Sequence, residues 1–192
     1  MTAPAAAAPQ PVTARLLGVF VAGAAVAVGL GVYGNVHDPT GEQPYTLFFT
    51  ATINLKVWFA TVAVALAVVQ IVLAARLYGK IHRPWPGDAP PWLGDAHRLT
   101  GIVAFLVSLP VAYHCLWALG FQSTDTRVVL HSLLGCFFYG VFTVKVLSVR
   151  SHGMPGWLLP VVGGLTFAAL IGVWLTSSLW FMTSRPSGLP LF

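Results

Sequence analysis

Charge is what this sequence has least of. Asp, Glu, Lys and Arg together make 8% of the 192 residues, against roughly a quarter in ordinary soluble domains. A soluble globular domain is thereby excluded, because such a surface cannot be solvated. Long polar loops are also missing. The longest runs from about Gly79 to Ala96, which leaves no room for a flavin, nicotinamide or iron–sulfur domain, so any redox chemistry must draw its electron donor or acceptor from another molecule. Cysteine is nearly absent: Cys115 and Cys136 sit in different apolar segments at unequal offsets from the turn between them, and no disulfide is expected. Clustered basic residues are lacking as well. The net charge is +5, but the cations stand singly at the ends of apolar segments, so nucleic acid is not an expected partner.

What the chain does have is hydrophobic length. Apolar residues make 57% of it and the mean hydropathy is +0.80. A membrane-spanning helix needs about 20 predominantly apolar residues, and five stretches qualify: about 14–33, 55–78, 97–119, 128–149 and 157–182. The expectation is an all-α integral membrane bundle of five helices, with the lipid bilayer of a bacterial plasma membrane as its surroundings. Residues 1–13, rich in Ala and Pro, read as a disordered tail, 14–182 as one transmembrane domain and 183–192 as a C-terminal tail. The first stretch is long enough to be a retained span rather than a cleaved signal. Gly34, Pro39, Gly41 and Pro44 punctuate the first loop, and Pro84, Pro86, Gly87, Pro90, Pro91 and Gly94 the second.

Cations assign the orientation. Arg15, Arg76, Lys80, Arg83, Arg98, Lys145 and Arg150 fall on one side, against Lys56, Arg127 and Arg185 on the other. The positive-inside rule then places the N-terminus inside and the C-terminus outside. Lys56 and Lys145 read as residues near helix ends whose stems reach to the headgroups. Trp58, Trp85, Trp92, Trp117, Trp157 and Trp180 read as interfacial belts. Gln70, Ser108, Thr143, Ser177 and Ser178 read as self-satisfied polar residues, and Gly163, Gly164 and Gly172 as a face open to close helix approach.

Ionisable side chains inside a span are functional candidates. His114 and His131 flank one turn, on the third and fourth stretches, at similar offsets from it; those stretches are expected to form an antiparallel hairpin about Gln122 and Ser123, which puts the two rings at similar depth near the outer leaflet. A b-type haem takes one axial imidazole from each side, and helix bundles build such sites from facing helices. Gly135, one turn deeper than His131, leaves space for a broad macrocycle, as Ala118 and Pro110 do around His114. Arg127 is placed to pair with a propionate, and Phe138 and Tyr139 would serve either as a flat wall or as plain packing. The competing interpretation of the pair is two hydrogen-bonded imidazoles that hold helices together.

His97 with Gly101 repeats the His-x-x-x-Gly spacing. It stands about 100° around the helix from His114, so a second haem through His97 would need another partner, for which only the loop residues His82 and His152 are available. An interfacial role beside Arg98 is the alternative. His37 reads as a loop residue, with a ligand or substrate contact as its rival role.

His97-Arg-Leu-Thr-Gly101, Ala112-Tyr-His114-Cys115 and Val129-Leu-His131-Ser-Leu-Leu-Gly135 resemble the haem-binding helices of the cytochrome b-561 and ferric-reductase-like transmembrane proteins, over about 97–150. That resemblance implies b haem, electron transfer and His114 and His131 as axial ligands, with an external redox protein or a membrane quinone as partner and the chain acting alone or as an anchor subunit of a redox complex. The chain departs from the di-haem members in having one clear histidine pair and one orphan. Gly120-Phe-Gln122, Gly135-Cys-Phe-Phe-Tyr-Gly140 and Met154-Pro-Gly-Trp157 further resemble an actinobacterial multi-pass membrane family known as a domain of unknown function, which implies no activity. The rival reading is a non-haem helical subunit or transporter, with the histidines as a proton relay or an ion site in which Cys115 and Met154 attract a soft metal.

Overall fold

The computed structural model describes residues 11–43, 45–82 and 87–184. Most of the N-terminal tail, Pro44, Arg83, Pro84, Trp85, Pro86, Arg185 and nearly all of the C-terminal tail lie outside those residues. Within them the chain is helical with no strand. Five long helices form: α1 (Val12–Val36), α2 (Thr52–Leu77), α3 (Trp92–Leu119), α4 (Thr126–Arg150) and α5 (Leu158–Ser184). At 25 to 28 residues each and about 1.5 Å per residue they reach roughly 38 to 42 Å, beyond the roughly 30 Å hydrocarbon thickness of a bilayer. All five are long and apolar enough to cross a membrane.

Several helices start earlier than the hydropathy pattern places them. α3 begins at Trp92 because Pro90 and Pro91 fit a helix entrance, where a missing N–H costs nothing, and the Leu93 N–H reaches the Pro90 carbonyl at 3.0 Å. α4 begins at Thr126 because Asp125 Oδ1 accepts the Val128 N–H at 3.0 Å and caps the first turn. α2 begins at Thr52. Lys56 and Lys145 therefore lie a full turn inside their helices, not at the ends.

α3 packs on α2, α4 packs between α1 and α5, and α2 touches α5, while the end of α3 closes the ring against α1. Consecutive α3 and α4 make almost no backbone contact, which corrects the expected hairpin. Small residues set the tightest approach. A Cβ on Gly140 would lie 2.7 Å from the Gly23 carbonyl oxygen and 2.8 Å from Ala27 Cβ, so α1 and α4 meet backbone to backbone, as helices do where apolar burial gives no drive. Beside that contact Val19, Val141, Val144, Leu158 and Val162 form one core cluster; Ala63, Ala67, Phe138, Ala169 and Leu170 form a second across α2, α4 and α5.

Two helices change winding near the same end of the bundle. The last six residues of α3, His114–Leu119, and residues Leu175–Leu179 of α5 are π-helical. A π turn leaves carbonyls exposed, and the loop after α1 covers them. His37 Nε2 meets the Trp117 carbonyl at 3.1 Å and the Gly41 N–H donates to Ala118 at 2.9 Å, while Gln122 Nε2, from the loop after α3, donates to Leu119 at 2.5 Å. His37 also stacks on Tyr33 and lies against Trp117, so its place is a cap on α3 and not a ligand position. Gly120 ends the helix at φ 69°, with its backbone so near Gly34 that a Cβ would lie 2.8 Å from the Gly34 carbonyl.

Candidate functional site between the third and fourth helices

The separation of α3 from α4 leaves space. At the end that carries the π turns, a cavity of about 370 Å³ is lined by all five helices, including Lys56, Cys115, Arg127, His131, Gly135 and Tyr139. Its surface is mostly apolar, in the size range of small-molecule sites. Lys56 reaches it because Ile53, Lys56, Val57 and Ala60 form one stripe at helical spacing.

His131 stands on α4 with its Nδ1 3.3 Å from the Thr176 hydroxyl on the π turn of α5. That hydroxyl has one hydrogen, and it points to the Gly172 carbonyl at 2.7 Å. The contact to His131 therefore has Nδ1–H as donor, which leaves Nε2 as the lone-pair nitrogen. Arg127 donates to the Thr176 carbonyl at 2.8 Å, lies over the Trp180 ring at 3.8 Å and faces Asp125 at 3.7 Å, so one residue of α5 orients both polar groups of α4.

His114 begins the π turn of α3. It is 7% exposed, and its buried Nδ1 has no hydrogen-bond partner. Pro110 supplies the irregularity: its carbonyl accepts the His114 N–H and also the Tyr45 phenol from the covering loop. Cys115 lines the cavity near both histidines and Lys56. His131 and Cys115 line the cavity, whereas His114 is buried behind its wall and comes near His131 through Cys115, from a helix whose backbone stays apart from α4. Cys115 and Cys136 are both free thiols, as their spacing predicts.

The residues expected to leave room divide. Gly135 lines the cavity, and a Cβ there would meet nothing within 4 Å. Ala118 does not line it; it is buried under the covering loop, because the π turn rotates it away from the His114 face. Tyr139 faces this cavity and hydrogen-bonds to Ser108 on α3 at 3.0 Å, whereas Phe138 faces the opposite end of the bundle.

That opposite end holds a second cavity of about 560 Å³, lined by residues of α2 to α5 that include His97, Gly101, Phe138 and Lys145. His82 and His152 are exposed and do not line it, so neither partners His97. Gly163 and Gly164 border it with nothing within 4 Å of an added Cβ; they open space, correcting the expected close helix approach, whereas Gly172 packs on Leu134. Met154 packs beside the core cluster of α1, α4 and α5 and does not line the first cavity, so it is no companion to Cys115. Among the described residues no three His, Cys, Asp or Glu side chains converge as an ion site.

Sequence reasoning missed Thr176, the π turns and the inward face of Lys56, and named Cys115 only as a soft-metal ligand. The stripe through Ile53 and Val57 marks Lys56 as inward-facing; no local signal marks Thr176, because the contact to His131 joins residues 45 positions apart.

The chain matches no curated protein and no solved structure. A family profile matches residues 16–188, and the chain belongs to that family of unknown function (DUF6529).

Proposed function

We propose that this chain is an integral membrane b-type cytochrome that holds haem between α3 and α4, with His114 and His131 as axial ligands, and that it transfers electrons alone or as the membrane anchor of a redox complex. The observation that carries the proposal is that His114 and His131, from helices kept apart, both lie near Cys115 beside an apolar cavity that His131 and Cys115 line. The surrounding residues fit the group. Gly135 gives a face with no Cβ contact within 4 Å, His114 has an unpartnered buried nitrogen and His131 is held with Nε2 free. Arg127 and Lys56 line the same cavity and suit propionate carboxylates.

Bound haem would supply one-electron chemistry, with a potential tuned by its burial and by the hydrogen bonds on its ligands. The protein residues orient the imidazoles, and the apolar walls exclude water. The proposed setting is the bacterial plasma membrane with the N-terminus inside, supported by the distribution of cations; both ligands then lie toward the outer leaflet, within reach of a redox protein or a quinone. One haem in that leaflet does not carry charge fully across.

The test is a visible spectrum of protein expressed with haem supplied, before and after dithionite. A low-spin Soret band that survives His97→Ala and disappears in His114→Ala is expected. A colourless preparation sinks the proposal, and elemental analysis showing copper or zinc in place of iron assigns the histidines to an ion site.

A further inference from the structure

Lys145 is a half-buried cation without an anion. It lies more than a turn inside α4 and lines the 560 Å³ cavity with His97, Lys80, Gln70, Tyr78 and Thr166 as the other polar residues; no Asp or Glu lines it. Among the described residues Lys145 has no ion pair, and His97 on α3 lines the same cavity. His97 Nδ1 is buried with no hydrogen-bond partner. The Gln70 amide nitrogen donates to the His97 carbonyl at 2.5 Å and to Thr100.

An uncompensated charge in an apolar interior is costly. The rest of the cavity is apolar, walled by Phe105, Phe138, Phe142 and Phe167 and widened by Gly163 and Gly164. Polar donors at one place, no acid and a long apolar wall describe the complement of an amphiphile with an anionic head.

We propose that this cavity binds an acidic amphiphile, its carboxylate or phosphate head between Lys145 and His97 and its alkyl chain along the phenylalanine wall. The site stands independently of the haem reading, since it shares no lining residue with the first cavity. A free long-chain carboxylate and an acidic phospholipid offer the same head chemistry.

The experiment is thermal unfolding and calorimetric titration of the full chain in a neutral maltoside detergent, with oleate, phosphatidylglycerol, oleyl alcohol and decyl-quinone as separate probes. Oleate or phosphatidylglycerol raising the midpoint, at one per chain, is the expected result, and the stronger of the two identifies the source. Oleyl alcohol and the quinone should do neither. Lys145→Met should weaken binding by more than about tenfold, as loss of one partner of a buried charge contact does; Lys145→Arg should retain it, and Lys56→Met, in the other cavity, should leave it unchanged. Gly163→Leu, which fills the cavity from a position free of Cβ contacts, should block binding without touching the charge. An equal response to oleyl alcohol, a preference for the quinone, or unchanged affinity in Lys145→Met overturns the proposal. So does loss of half the bound haem in His97→Ala, which would give the cavity to a second haem. Loss of haem in His114→Ala tests the other site alone.

Discussion

The Thr176 hydroxyl on α5 meets His131 Nδ1 on α4 at 3.3 Å while giving its own hydrogen to Gly172. The contact fixes the imidazole tautomer, and it exists because the π turn of α5 presents Thr176 toward α4. Groups that hold a ligand's second nitrogen commonly matter by about 10- to 100-fold in affinity or activity.

Thr176→Val should therefore lower haem affinity by about tenfold or more, while Thr176→Ser should retain it. Titration of haem into the apo protein, followed at the Soret band, measures both. Equal affinities in the two variants would remove Thr176 from the site.

Gly135 and Gly140 lie on the same helix and should respond oppositely to alanine. Gly135→Ala meets nothing within 4 Å and should leave the unfolding midpoint unchanged or raise it, by up to about 1 kcal/mol from helix propensity. Gly140→Ala drives a methyl into the Gly23 carbonyl and Ala27 and should cost about 1 to 3 kcal/mol as overpacking. Gly135→Leu should fold yet take up less haem. Thermal unfolding and Soret absorbance of the three variants check the set.

Cys115, near the two histidines, and Cys136 line the same cavity. In a Cys136→Ser background, N-ethylmaleimide should modify the apo protein at Cys115 and block haem uptake, and bound haem should protect the thiol. A modified chain that takes up haem as readily as the untreated one would place Cys115 outside the site.

Tyr45, in the covering loop, donates to the Pro110 carbonyl. Burial first, then the neighbouring Tyr113 and Cys115, raise its pKa above the usual value near 10. The folded chain thus holds the phenolic proton more tightly than the unfolded chain. This contribution to stability is fully present below about pH 10 and is lost as pH rises through the folded value. Tyr45→Phe should show a shallower alkaline fall in unfolding midpoint than the parent. Parallel curves for the two proteins would show that Tyr45 carries none of it.

Much of this protein is legible in one dimension because lipid-compatible helices are written in composition. Five apolar runs give five helices, whose ends shift by a few residues where Asp125, Pro90 and Pro91 act as local caps. The histidines stand out because a polar group in an apolar run is rare. His97 and His131, each followed by glycine one turn on, line different cavities, at opposite ends of the bundle.

What the sequence by itself determined is therefore the all-helical build, the lengths of the helices and the short roll of ionisable residues within them. Which helices touch was decided only by tertiary structure. Connectivity suggests that α3 and α4 pack together, but the close contact of Gly23 with Gly140 draws α4 to α1, and α3 lies on α2. Space then remains where a hairpin would have closed it. Lys56 and Lys145, expected to reach the headgroups, line cavities, Lys56 because α2 starts about a turn before the apolar pattern places it, and Thr176 meets His131 only through a π turn. Side-chain chemistry is local and can be read along the chain; cavities arise from helices that do not touch, and no single segment encodes that.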